Sequence, residues 1–106
     1  MDITVTELKD KIDQGYLPVM IDVREPHEWD RDVLPQAKKI SLGDLPQNLE
    51  QLAQFQEEEV VLICRSGRRS DNATRFLQAR GFLNARNLAG GMLAWKKEID
   101  PAFDVS

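Results

Sequence analysis

The chain has 106 residues, a net charge of -4, 42% hydrophobic and 30% charged side chains. This composition suits one folded α/β-sized domain over residues 1–106 and excludes a disordered chain. Its longest apolar run, Val60–Cys64, is far below the ~20 residues of a spanning helix, so no membrane association is expected. One cysteine and one histidine exclude an internal disulfide framework, a CxxC redox or zinc pair and a histidine-rich metal site. No leader-like segment opens the chain, and a cytoplasmic location is expected.

The charge is unevenly placed. Residues 1–59 carry 6 basic against 14 acidic side chains, whereas residues 60–97 carry 8 basic against Asp71 alone. A basic stretch inside an acidic protein points to a local anion site and away from a nucleic-acid-binding face, which would call for a basic domain or stripe.

In chain order, Ile3–Val5 reads as a short strand, and Thr6 as the N-cap of a helix carrying Leu8 and Ile12, closed by Gly15. Pro18–Val23 reads as a buried strand. Pro26 then suits the first position of a short helical turn. Ala37–Ile40 is a weaker strand. Leu45, Leu49, Leu52 and Phe55 mark an amphipathic helix. Val60–Cys64 is a continuous apolar strand of the kind covered on both faces. A helix is predicted over Ser70–Arg80, with Ala73, Phe76 and Leu77 inward and Gly81 ending it. A strand over Asn84–Leu88 and a helix over Gly91–Glu98 follow. Strands interleaved with helices predict an α/β domain built on a mainly parallel five-stranded sheet with helices on both faces. Ligands of such sheets bind beyond the carboxyl ends of the strands, which directs attention to the segment after Cys64.

That segment is Cys64-Arg65-Ser66-Gly67-Arg68-Arg69-Ser70. A tight strand-to-helix loop containing a glycine can turn successive N–H groups inward as an anion nest, and the helix that follows adds its own free N–H groups and positive end. A thiol held there should be more acidic than a free one, giving a nucleophilic thiolate near neutral pH. Arg65, Arg68 and Arg69 crowd a helix end that repels cations, a repulsion that an anionic ligand or the thiolate itself would offset.

These residues resemble the rhodanese family of sulfurtransferases in its single-domain form. Besides the Cys64 loop, Ile21-Asp22-Val23-Arg24-Glu25-Pro26-His27-Glu28-Trp29 resembles the family's Asp-Val-Arg segment, and Gly90-Gly91 followed by Trp95 its closing motif. The resemblance implies a rhodanese-like domain in which Cys64 takes a sulfane sulfur from thiosulfate or a similar small-molecule donor. The resulting persulfide passes it to cyanide, a small thiol or a protein thiol. It implies that residues 65–70 (Arg65, Ser66, Gly67, Arg68, Arg69 and Ser70) bind the substrate, with Arg65 and Arg69 orienting the anionic donor. Asp22 and Arg24 would support the loop, and neither a cofactor nor a metal is implied.

One stretch departs from the family. Asp32-Val33-Leu34-Pro35-Gln36-Ala37 stands where members often carry Gly-His-Ile-Pro-Gly-Ala, and this could reshape one rim of the site. His27 reads as a surface histidine, and Trp29 and Trp95 as packing. Two other functions compete. A rhodanese-related cysteine phosphatase or arsenate reductase would place its arginine at the sixth position after the cysteine, where this chain has Ser70. A docking module that carries the persulfide in a sulfur relay fits the lone cysteine, since no second thiol can collapse the persulfide into a disulfide.

Overall fold

The computed structural model describes residues 2–105. Its strands are β1 (Asp2–Ile3), β2 (Val19–Asp22), β3 (Lys38–Lys39), β4 (Val60–Ile63) and β5 (Ala85–Leu88). They form one sheet in the order β1-β5-β4-β2-β3, parallel throughout. The helices are α1 (Val5–Asp13), α2 (Leu45–Leu52), α3 (Arg68–Gln78) and α4 (Gly91–Glu98), with short 3-10 turns at Pro26–Asp30, Leu42–Asp44 and Ala53–Phe55. Among the described residues no helix is long and apolar enough to cross a membrane.

The alternation of β4 explains the layering. Val61 and Ile63 face one side of the sheet, where they join Ile3, Val5, Leu8, Met20, Met92 and Trp95 beneath α1 and α4. Val60, Leu62 and Cys64 face the other, with Leu45, Leu52, Ala73 and Leu77 of α2 and α3. All four residues of β4 are buried, as expected of a central parallel strand with helices on both faces. Each fully buried aliphatic side chain contributes about 1.5–3 kcal/mol.

Two boundaries and one burial differ from the sequence reading. α1 is capped by Thr4, whose Oγ1 accepts from the Glu7 N–H at 3.1 Å, so Thr6 lies inside the helix. That register buries Val5 with Leu8 and leaves Ile12 at the margin. α3 begins at Arg68, two residues before the expected start. Phe76, expected inward, is half-buried, and the Arg80 guanidinium covers its ring at 3.7 Å. The remaining elements agree within a few residues, and the turn at Pro26 begins where proline's fixed φ favours it.

The departing stretch at 32–37 is tied to the C-terminal segment. The Asp32 N–H donates to the Asp104 carbonyl at 3.0 Å, the Asp104 N–H donates to Asp32 Oδ2 at 2.8 Å, and Leu34 is buried. His27 is exposed, whereas Trp95 lies in the core.

Candidate active site

β4 ends at Ile63, and Cys64 continues it as a wholly buried residue facing α3. Gly67 then takes φ +97°, a left-handed conformation that side chains disfavour, and turns the chain into α3 as its N-cap. The turn aims three donors at Cys64 Sγ: the Gly67 N–H at 3.1 Å, the Ser70 N–H at 3.3 Å and the Ser70 hydroxyl at 3.2 Å. The sulfur therefore occupies the place of a capping acceptor at a helix start, where N–H groups otherwise lack partners. Burial pushes the Cys64 thiol up. The Ser70 hydroxyl and N–H, with the N–H groups of Gly67 and Ser66, pull it down further, and the thiol lies below its ordinary value.

The carbonyls of the same loop point outward and are taken by α4. The Met92 N–H donates to the Cys64 carbonyl at 2.9 Å and the Leu93 N–H to the Arg65 carbonyl at 3.0 Å. This contact requires glycine at 91. A Cβ there would lie 2.4 Å from the Cys64 carbonyl oxygen and 2.6 Å from that of Arg65, and φ is +57°. Gly91→Ala is expected to destabilise the protein by about 2–3 kcal/mol through left-handed strain and the backbone clash. It should also slow Cys64 alkylation, because relief of the clash moves the loop. Gly43→Ala, with open space around its Cβ, is the control that should leave melting and alkylation unchanged.

The floor of the cradle is polar and buried. The Ser70 hydroxyl lies a short 2.5 Å from Asn87 Oδ1, and Asn87 Nδ2 donates to the Gly67 carbonyl at 3.1 Å. Ser70 and Asn87 are both buried. Asn87 was not singled out in the sequence; a lone amide inside the strand Ala85–Leu88 was the available signal.

Arg69 extends from the first turn of α3 to Glu28, its Nη2 at 2.9 Å from Oε2 and its Nη1 on Oε1. The bidentate Arg69 fork holds Glu28 down to about 2, against the carboxylate's own burial and with help from the Glu25 N–H. Sequence reasoning also missed Glu28; its spacing three residues after Glu25, at a helical start, was the clue. Arg65, Ser66 and Arg68 are exposed around the buried sulfur.

Asp22 and Arg24 pair with each other beyond β2. Arg24 Nη2 lies 2.8 Å from Asp22 Oδ2 and donates to the Asp32 carbonyl at 3.1 Å; Nε reaches both Asp22 oxygens. Both residues are at most 1% exposed. The Arg24 carbonyl accepts from the Ser41 hydroxyl at 3.0 Å. These bonds organise the segment that carries Glu28, so the pair reaches the Cys64 loop through Glu28 and Arg69. Among the described residues no group of three or more histidine, cysteine, aspartate or glutamate side chains is placed to hold a metal ion.

A parallel α/β domain whose central strand delivers one buried cysteine onto the N-terminus of the next helix defines a class: proteins with a cysteine cradled by a strand-to-helix loop. The rhodanese-like domain family matches residues 4–98, and the chain belongs to it, among its sulfurtransferases. It is 41% identical over 100 residues, 94% of both chains, to YtwF of Bacillus subtilis strain 168, named a "Putative sulfurtransferase". The crystal structure of a rhodanese-like domain protein from Staphylococcus aureus superposes with TM-score 0.84 at 32% identity, covering 100% of this chain and 99% of that one. The human single-domain sulfurtransferase TSTD1 superposes with TM-score 0.79 at 27% identity, covering 92% and 96%.

Proposed function

We propose that this protein moves a sulfane sulfur from thiosulfate, or a donor of similar chemistry, to a thiophilic acceptor through a persulfide on Cys64. The observation that carries this reading is the convergence of the Gly67 N–H, the Ser70 N–H and the Ser70 hydroxyl on Cys64 Sγ. In the first displacement the Cys64 thiolate attacks the outer sulfur of thiosulfate. A new S–S bond forms, the old one breaks, and sulfite leaves with its electron pair. In the second, cyanide, a small thiol or a protein thiol attacks the outer sulfur of the persulfide and the Cys64 thiolate is restored. The inward N–H groups provide fixed stabilisation for the anionic sulfur. Arg65 and Arg69 orient the donor, Ser66, Gly67, Arg68 and Ser70 form the rest of its binding loop, and no cofactor takes part.

The phosphatase reading is disfavoured by the same contacts. Ser70 stands where that chemistry needs its arginine, and its hydroxyl is committed to Cys64 and Asn87. The relay-carrier reading shares the Cys64 persulfide and differs only in the acceptor.

Intact mass after thiosulfate, then after cyanide, tests the proposal. A gain of one sulfur atom that cyanide removes is expected. No gain on a folded protein with a reactive thiol overturns it.

Glu28 gives a second test, since its carboxylate shares the Arg69 fork with any incoming anion. Glu28→Gln should lower the KM for thiosulfate by about tenfold, the equivalent of one charge-assisted hydrogen bond, with kcat little changed. Arg69→Ala should raise that KM. The pair also sets a pH window for stability. Its contribution is complete above the ordinary carboxylate range, near 4.5, and is lost as pH falls through about 2. Acid titration of melting temperature should show this component in the wild type and not in Glu28→Gln.

A further inference from the structure

Ser70 has one hydroxyl proton and two neighbours that can take it. Its Oγ is 2.5 Å from Asn87 Oδ1 and 3.2 Å from Cys64 Sγ. The orientation of the Asn87 amide is fixed from the other end, because Nδ2 donates to the Gly67 carbonyl at 3.1 Å. The oxygen facing Ser70 is therefore an acceptor only. While Ser70 donates to Asn87, its oxygen can accept from a neutral S–H, and the sulfur receives only N–H donors. When the sulfur is a thiolate it competes for the same proton, and Asn87 Oδ1 must then give up this donor within a buried setting.

We propose that Asn87 is a positioning residue that competes with Cys64 for the Ser70 proton, so that this hydroxyl changes partner as negative charge enters and leaves the inner sulfur. The inference rests on the sulfur-transfer reading for its place in a cycle. In the resting thiolate the hydroxyl donates to Sγ. Once Sγ is bonded to the transferred sulfur it is neutral, the charge sits on the outer atom, and the hydroxyl returns to Asn87. The Gly67 and Ser70 N–H groups are held by the backbone and point at Sγ throughout, which leaves the hydroxyl as the mobile donor of the three. Asn87 thus limits how acidic the thiol becomes and favours the persulfide over the free thiolate.

The charged groups around this chain are Arg69 of α3 with Glu28 behind it and Glu25 nearby, and Arg65 and Arg68 of the loop. On β5, Arg86 pairs away from the site with Glu59 at 3.0 Å. None of these is altered in the test.

The test is the ultraviolet thiolate absorbance of the full chain against pH, with Cys64→Ser as the blank and Cys64 as the sole cysteine. Wild type, Asn87→Ala, Ser70→Ala and the double variant are titrated. Asn87→Ala should move the midpoint down, raising the thiolate fraction about three- to tenfold on the lower limb. Ser70→Ala should reverse that shift in the Asn87→Ala background and move the wild-type midpoint much less. Equal shifts from Ser70→Ala in both backgrounds, or an unmoved or raised midpoint in Asn87→Ala, overturn the proposal. Should alanine leave a cavity that unfolds β5, Asn87→Leu fills the space without an acceptor, and the same downward shift is expected. No sulfur donor enters this titration, so failure of the sulfur-transfer reading is seen separately, in the mass experiment.

Discussion

Cys64→Ser should abolish turnover of thiosulfate and cyanide while leaving the protein folded. The hydroxyl is a far weaker acid than the thiol it replaces, and an S–S exchange needs sulfur as nucleophile and as leaving group. The fold should tolerate the change because the donors that surround Sγ, from Gly67 and Ser70, can all serve a serine oxygen. The packing lost on the α3 face of the sheet limits the cost to about 2 kcal/mol. Turnover and intact mass, read beside a melting curve, check the prediction. A serine variant with wild-type turnover would remove Cys64 from the chemistry.

Asp22→Ala should have the largest effect on stability. Arg24 is wholly buried, its Nη1 has no hydrogen-bond partner among the described residues, and Asp22 supplies the countercharge through four contacts. Removing the carboxylate leaves a buried guanidinium whose remaining hydrogen bond among the described residues is to the Asp32 carbonyl. Breaking one side of such a pair costs about 3–5 kcal/mol, a large part of the 5–15 kcal/mol that holds a typical domain together. Replacing both residues by apolar ones of similar volume, as in Asp22→Leu with Arg24→Met, should recover most of the loss, because the desolvation penalty disappears with the charges. Denaturant midpoints of the single and double variants decide the matter. A loss below about 1 kcal/mol in Asp22→Ala would show that solvent reaches Arg24 more readily than its burial indicates.

How much of this was legible in the sequence depended on the range of the interaction involved. β4 was plain because a run of apolar β-branched and leucine residues has few alternatives, and the loop after it inherits its position from the sheet. The two-glycine motif before Trp95 was visible, and its reason, the approach of α4 to the Cys64 and Arg65 carbonyls, was not. Thr4 and Thr6 are equally good caps in isolation; the packing of Val5 under the sheet decides between them. The start of α3 was misplaced because Arg68 and Arg69 carry no apolar periodicity, and the sulfur's acceptance of N–H donors sets the first turn. Glu28 and Arg69 lie 41 residues apart, and Ser70 and Asn87 17 apart. No local pattern announces such pairs, and each makes sense only once parallel strands have brought the loops together.

The seating of α4 on the Cys64 loop has a consequence for the timing of biosynthesis. On the ribosome, residues 91–98 emerge after every strand of the sheet. A nascent chain that has completed β5 already contains the thiol, but the N–H groups that hold the Cys64 and Arg65 carbonyls outward have yet to arrive. The loop around Cys64 Sγ is therefore braced last, by a helix that leaves the ribosome after the sheet is complete.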